Sequence, residues 1–106
     1  NYRFFDAPVG IVVTIGADMG KGCFMDLGMS LMALFLAAED MGYGTSGIGA
    51  LGNYGDLVHE VLDLPEDELV VCGIALGRPD TSAPVNTVRT ERDALGDFAH
   101  FEGFDD

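Results

Sequence analysis

The chain is poor in positive charge. Its 106 residues hold five Lys and Arg against 18 Asp and Glu, for a formal net charge of −13, and Lys21 is the single lysine. Affinity for a phosphate backbone comes from clustered cations that release counterions, so nucleic acid is excluded as a partner, and anionic membrane surfaces with it. Tryptophan is absent, and the two cysteines, Cys23 and Cys72, form neither a C-x-x-C nor a disulfide-rich pattern, which fits a reducing cytoplasm. His59 and His100 have no companion at metal-ligand spacing, so neither a metal site nor a catalytic triad is expected. No unbroken apolar run reaches the roughly 18 residues of a membrane span, and the start lacks the succession of a signal peptide. These absences predict a soluble chain, and Asn1 in place of an initiating Met points to a trimmed or partial product.

What is present is apolar. Hydrophobic residues make up 48%, with seven Phe and three Tyr, too many for a disordered chain at any net charge. One domain over residues 1–106 is expected, small enough to need an oligomer to finish its burial. The acid excess runs along the whole length and favours solubility while adding self-repulsion, a pattern that suits a salt-rich source. Ala7 to Ile15 is β-branched and nearly continuously apolar, as for a strand covered on both faces, with Pro8 at its first position or edge. A glycine-bearing loop, Gly16 to Gly22, leads to a long helix from Asp26 to Met41, with Asp26 as N-cap and Gly42 as the residue that stops it. Leu27, Leu31, Leu34, Phe35 and Ala38 make one stripe on that helix, and Met29, Met32 and Leu36 carry the apolar surface round most of its circumference. A helix apolar all round must be covered all round, and a domain of this size has little interior, so a subunit interface is the simplest cover. Then come a glycine-dense loop from Gly42 to Gly52, a second helix from Asn53 to Leu64, a buried strand from Leu69 to Leu76, an extended arm from Arg78 to Asn86, and a short helix within Glu91 to His100.

Gly47-Ile-Gly49-Ala-Leu-Gly52 matches G-x-G-x-x-G and precedes a helix, but a dinucleotide loop also needs a strand before it and a βαβ unit around it. A flexible turn between helices is the plainer alternative. Arg89 and Arg92 gather two of the scarce cations into one segment. Guanidinium groups stay charged and offer fork-like donors suited to phosphate, although exposed arginines also pair with neighbouring acids, here Glu91, Asp93 and Asp97. Tyr43, Tyr54, Phe98, Phe101 and Phe104 could line a pocket or serve as packing anchors. His59 falls on the polar side of the second helix, as a solvated residue would.

The run Cys72 to Phe104, with G-I-A-L-G-R-P-D followed by P-V-N-T-V-R-T-E-R and an aromatic-rich end, resembles the C-terminal part of the nitroreductase family of flavoenzymes. Met41-Gly42-Tyr43-Gly44-Thr45 is similar to the end of that family's long helix, and Gly47 stands where many relatives have proline. The resemblance covers only the second half of a usual family domain. It implies an α+β (α/β sandwich) fold with buried strands around a central dimer-interface helix. It further implies a homodimer formed through the 26–41 helix and the C-terminal tail, with FMN as cofactor and NAD(P)H as co-substrate. Gly47, Ile48, Gly49 and Ala50 would lie against the flavin ring, and Arg92 and Arg89 would hold its phosphate. The activity implied is two-step hydride transfer to nitroaromatic, quinone or similar electron-poor small molecules, with no side chain as acid or base. A cofactor-free dimerisation module with a vestigial flavin site is the alternative of another class.

Overall fold

The computed structural model describes residues 2–104. Three strands form one sheet in the order β1-β3-β2: β1 is Val9–Gly16, β2 is Gly44–Ile48 and β3 is Glu68–Gly77. β3 runs antiparallel to both neighbours, so β1 and β2 are parallel to each other with β3 between them. Parallel strands require a long crossover, and the helix α1, Lys21–Asp40, supplies it. β1 ends where Gly16 pairs with Glu68, and β2 begins where Gly44 pairs with Gly77, at the opposite end of β3. Twenty helical residues reach about 30 Å, close to the length of ten residues of strand, about 33 Å, so α1 returns the chain along the sheet.

α1 begins at Lys21, not at Asp26, and Gly20 is its N-cap without a side-chain bond, so the expected loop shrinks to a tight turn. The reason lies in the buried face. Its inward stripe is Cys23, Leu27, Leu31, Phe35 and Ala38, and the stripe already starts at Cys23. Gly42 ends the helix at φ 78°, with Tyr43 N–H donating to the Ala38 carbonyl at 2.8 Å and Gly42 N–H to that of Glu39 at 2.9 Å, the expected left-handed stop. On the opposite side Met25, Met29, Met32 and Leu36 form a second stripe, between 56% and 68% exposed. Two apolar faces, one used and one open, are what the all-round apolarity meant. By length and composition α1 is also apolar enough to cross a membrane, with a mean hydropathy of 1.4 over its best window, beyond what its interrupted apolar runs suggested. Its two ends are nevertheless tied to opposite ends of one sheet.

The glycine-dense segment is no simple loop. Residues 44–48 pair with β3 as β2, and a 3-10 turn, Gly49–Tyr54, leads into the helix α2, Gly55–Leu62. Asn53 therefore does not cap the second helix; Tyr54 stands at that position without a side-chain bond, and Asp63 ends the helix in the left-handed region at φ 51°. β1 is an edge strand and only half-buried, a correction to the two-sided burial expected of it, whereas β3 is central and carries the fully buried Ile74. Thr14 pairs with Val70 and Val13 with Cys72, so Val71 is an extra residue and β3 is bulged there. On either side of the bulge, Val70 and Ala75 join Ile48, Leu51 and Val58 in one core, with Phe4 and Val12 against it. Phe4, Phe5 and Asp6 all have positive φ, a conformation costing about 1–2 kcal/mol per residue. An Arg3–Asp6 ion pair at 2.7 Å braces this turn, and the Phe4 ring lies over Gly10 and Gly73, where a Cβ would come within 3.1 Å and 3.0 Å of it.

Beyond Gly77 the chain leaves the body. Its radius of gyration is 17.5 Å, against about 13 Å for a compact chain of this length. The arm folds on itself locally: Asp80 accepts from the Ser82 amide and hydroxyl, bonds that hold its carboxyl below the usual range, and a 3-10 turn spans Pro84–Thr87. The expected helix within residues 91–100 contracts to α3, Leu95–Phe98. Val85, Val88, Leu95, Phe98, Phe101 and Phe104 are all exposed. With so many unneutralised carboxylates, melting temperature should rise when NaCl is added to 1 M, as screening relieves self-repulsion; a fall in calorimetry would contradict this.

Candidate functional site

The candidate site residues fall into two groups. Gly47 and Ile48 close β2, and Gly49 and Ala50 open the 3-10 turn. Ile48 and Leu51 point into the core, so the backbone between them is pinned from inside while Gly47, Gly49 and Ala50 face outward. Farther along, a Cβ on Gly52 would sit 2.8 Å from the Val71 carbonyl oxygen, so glycine there lets the turn lie directly on β3. Gly47 and Gly49 differ: a Cβ on either would meet nothing within 4 Å. No neighbour in the chain requires glycine at these two places, and the space beside them is open to a ligand. β2 is also an edge strand, so alternate backbone groups lie outside the ladder and can bond elsewhere.

Arg89 and Arg92 lie in the arm. Arg89 donates to the Val88 carbonyl at 3.3 Å; Arg92 donates to the carbonyls of Thr90 at 3.2 Å and Glu91 at 3.1 Å, and to the Thr90 hydroxyl. These partners are near sequence neighbours. The pairing with the Glu91, Asp93 and Asp97 carboxylates does not occur among the described residues, and Asp97 instead accepts from the Ala94 amide. Both guanidinium groups are exposed and keep donors for an anion. The fold does not bring them to the glycine turn. The arm departs beside Gly44, where Pro79 lies against it, at the end of β2 away from Gly49.

Tyr43 and Tyr54 separate. Tyr43 lies under the Arg78 guanidinium, 5.4 Å from ring centre to Cζ, while Tyr54 meets Tyr2 edge-on at 5.0 Å, and their hydrogen bond pushes the Tyr2 phenol up. The two tyrosines rim an apolar groove walled by Leu57 and Val61 of α2. Sequence reasoning missed that groove, although the i, i+4 spacing of Leu57 and Val61 outside the core stripe was a readable signal. His59 is half-buried rather than solvated, and its Nε2 lies 2.8 Å from the Glu68 carbonyl oxygen, tying α2 to the start of β3. Burial pushes the Cys72 thiol up. Among the described residues no group of three His, Cys, Asp or Glu could hold a metal ion.

A strand does precede Gly49, as a dinucleotide loop would require. However, β2, α2 and β3 do not form a βαβ unit, since β3 returns antiparallel beside β2, and the dinucleotide reading fails on topology. A model of the nitroreductase family matches residues 1–78. The chain belongs to the nitroreductase family. It is 36% identical over 105 residues to a 4-nitrobenzoate reductase of Pseudomonas putida, covering 99% of this chain and 46% of that enzyme. It is 35% identical over 101 residues to a chloronitrobenzene nitroreductase of Comamonas testosteroni, covering 95% and 44%. Its fold superposes at a TM-score of 0.94 on the crystal structure of the FMN and NADPH-dependent nitroreductase NfnB from Sphigopyxis sp. strain HMH, at 31% identity over 97% of this chain and 46% of that one. This nitroreductase-family chain thus spans about half the length of the relatives it matches, and the fold is that of a partial family domain, as the sequence implied. The family match stops at Arg78, whereas the alignment to the Pseudomonas enzyme runs through the arm.

Proposed function

We propose that this chain is part of an FMN-dependent nitroreductase-type oxidoreductase that uses NAD(P)H to reduce nitroaromatic or similarly electron-poor small molecules, working as a homodimer in the cytoplasm. The observation that carries the reading is the glycine turn. Gly47 and Gly49 present open backbone on an edge strand pinned by Ile48 and Leu51, as close approach of a flat ring would need. A relative supports the cofactors: NfnB of Mycobacterium smegmatis is FMN-dependent and was solved with NADPH, at a TM-score of 0.88 and 28% identity, which favours NADPH as reductant. Bound FMN would supply the hydride chemistry. The protein's part is positional: backbone of Gly47 to Ala50 against the ring, and Arg92 with Arg89 on the phosphate.

The homodimer follows from two unfinished surfaces, the outer stripe of α1 and the apolar arm. In one chain the arginines and the glycine turn stay apart; a partner's arm laid across the body would bring them together. The free thiols of Cys23 and Cys72 suit a reducing compartment.

Titrating the purified chain with FMN, followed by flavin fluorescence quenching, tests this reading. Gly49→Val should weaken binding at least about tenfold by filling the open space. Arg92→Ala should weaken it about fivefold or more, as loss of a charge-assisted bond does, and Arg89→Ala less. Binding unmoved by all three would sink the site assignment; a stable dimer that takes no flavin would support the dimerisation module instead.

A further inference from the structure

The arm is not loose from its first residue. At its root the Arg78 guanidinium lies 5.4 Å over the centre of the Tyr43 ring, and Pro79 packs so closely on Gly44 that a Cβ there would come within 3.3 Å of the proline. Both contacts fasten the chain where α1 passes into β2. Directly beyond, residues 80–87 tie themselves together. The Asp80 carboxylate accepts from the Ser82 amide at 2.9 Å and the Ser82 hydroxyl at 2.6 Å, a turn closed by the aspartate side chain. The Asp80 carbonyl accepts from the Ala83 amide at 3.2 Å and from the Asn86 side-chain amide at 2.7 Å, while the Asn86 backbone amide donates to the Ala83 carbonyl at 3.0 Å. Thr87 closes the run by donating its hydroxyl to the Pro84 carbonyl at 2.8 Å. All these partners lie within residues 80–87, and Pro79 and Pro84 each fix a backbone dihedral. The core does not need this order, since residues 78–87 contribute no side chain to it.

We infer that residues 78–87 form a stiff bracket that sets the direction in which Arg89 and Arg92 leave the body, with Asp80 and Asn86 as its positioning residues. What the two arginines then hold rests on the flavin reading above; the stiffness of the bracket does not. Arg89 is two residues beyond Thr87 and Arg92 five, so the bracket leaves them tethers of at most about 7 Å and about 18 Å. With the bracket undone, the tethers start at Pro79 and lengthen to ten and thirteen residues. Effective concentration falls as about the −3/2 power of tether length, so it would drop about tenfold for Arg89 and about fourfold for Arg92.

The test compares Asp80→Ala/Asn86→Ala with Asp80→Asn in the purified chain. Both remove the Asp80 charge, but asparagine keeps an oxygen for the Ser82 bonds. Measured by amide nitrogen relaxation without flavin, residues 80–87 should have order parameters of about 0.85 in the unaltered chain and in Asp80→Asn, and below about 0.6 in the double variant. The melting temperature should stay within about 3 °C, since the substituted side chains lie outside the core. In the FMN titration the double variant should bind about three- to fivefold more weakly, no more than loss of the arginines themselves would cost, and Asp80→Asn should stay within about twofold. In a chain already carrying Arg89→Ala/Arg92→Ala, undoing the bracket should cost less than about twofold, whereas a general weakening of the fold would cost the same in both backgrounds. A segment 80–87 that is mobile in the unaltered chain, or that stays ordered in the double variant, would overturn the bracket. Equal losses with and without the arginines, or no loss with them, would overturn the positioning role. An unaltered chain that takes no FMN would overturn the flavin reading and the positioning role with it, and the relaxation data alone would then uphold or overturn the bracket.

Discussion

If the proposed homodimer forms, Met29→Asp should leave the chain folded and turn that dimer into a monomer at micromolar concentration. Met29 sits mid-stripe among Met25, Met32 and Leu36, all pointing away from the chain's own core. In a two-fold interface each contact occurs twice, so two carboxylates would be desolvated in a molecule already at −13. Burying each stripe residue is worth about 1.5–3 kcal/mol, while association costs about 4–15 kcal/mol in lost freedom. In the proposed dimer the stripe would therefore offset that cost without a wide surplus, and the arm's apolar side chains would supply the rest. A single charge should raise the dissociation constant at least about 100-fold. Sedimentation across a concentration series, with circular dichroism for the fold, measures both; a dimer that survives Met29→Asp, or an unaltered chain that is monomeric throughout, would refute the assignment.

The second large effect is on stability. Gly52→Ala should destabilise the fold by about 1–3 kcal/mol, the usual cost of forcing atoms into a packed site, and lower the melting temperature by about 5–20 °C for a domain of this size. The new methyl would lie 2.8 Å from the Val71 carbonyl oxygen and 3.3 Å from that of Val70. Those oxygens belong to the bulged stretch of β3, where Val70 pairs with Thr14 of β1 and packs into the core, so they have little room to retreat. Gly47→Ala, five positions earlier, meets open space and should be neutral or stabilising by up to about 1 kcal/mol, through fewer unfolded conformations. Thermal and urea denaturation of the pair would decide the point. Equal stabilities would show that the turn does not lie on β3 as described.

Much of the architecture was legible because burial leaves a period in the sequence. The i, i+4 rows of α1, the β-branched run of β1 and the apolar run of β3 each appear where the residues put them, and Gly42 stops its helix as a left-handed residue should. β2 was not legible, since Gly-Thr-Ser-Gly-Ile has poor strand propensity and is held by its pairing with β3. The starts of both helices slipped for a related reason. Asp26 and Asn53 are good capping residues, yet the chain begins helix where tertiary contact begins, at the Cys23 stripe and after the anchor of Leu51. Gly47 to Ala50 lie where β2 passes into the 3-10 turn, a break in regular structure that their glycine density did suggest. What no local pattern could give is that the arginine half leaves on an arm that its own body does not hold. The groove beside α2 was overlooked because Leu57 and Val61 read as ordinary helix residues until the core proved to lie elsewhere.

The order of the strands bears on how the protein comes into being. Gly16 must find Glu68 and Val9 must find Leu76, partners about half the chain or more away from one another. Contacts of such long range are made late and slow a fold's assembly. On the ribosome, β1 must wait, greasy and unmatched, until β3 emerges, while α1 can coil as soon as it is made. For that interval residues 9–16 are an unpaired apolar edge open to wrong partners.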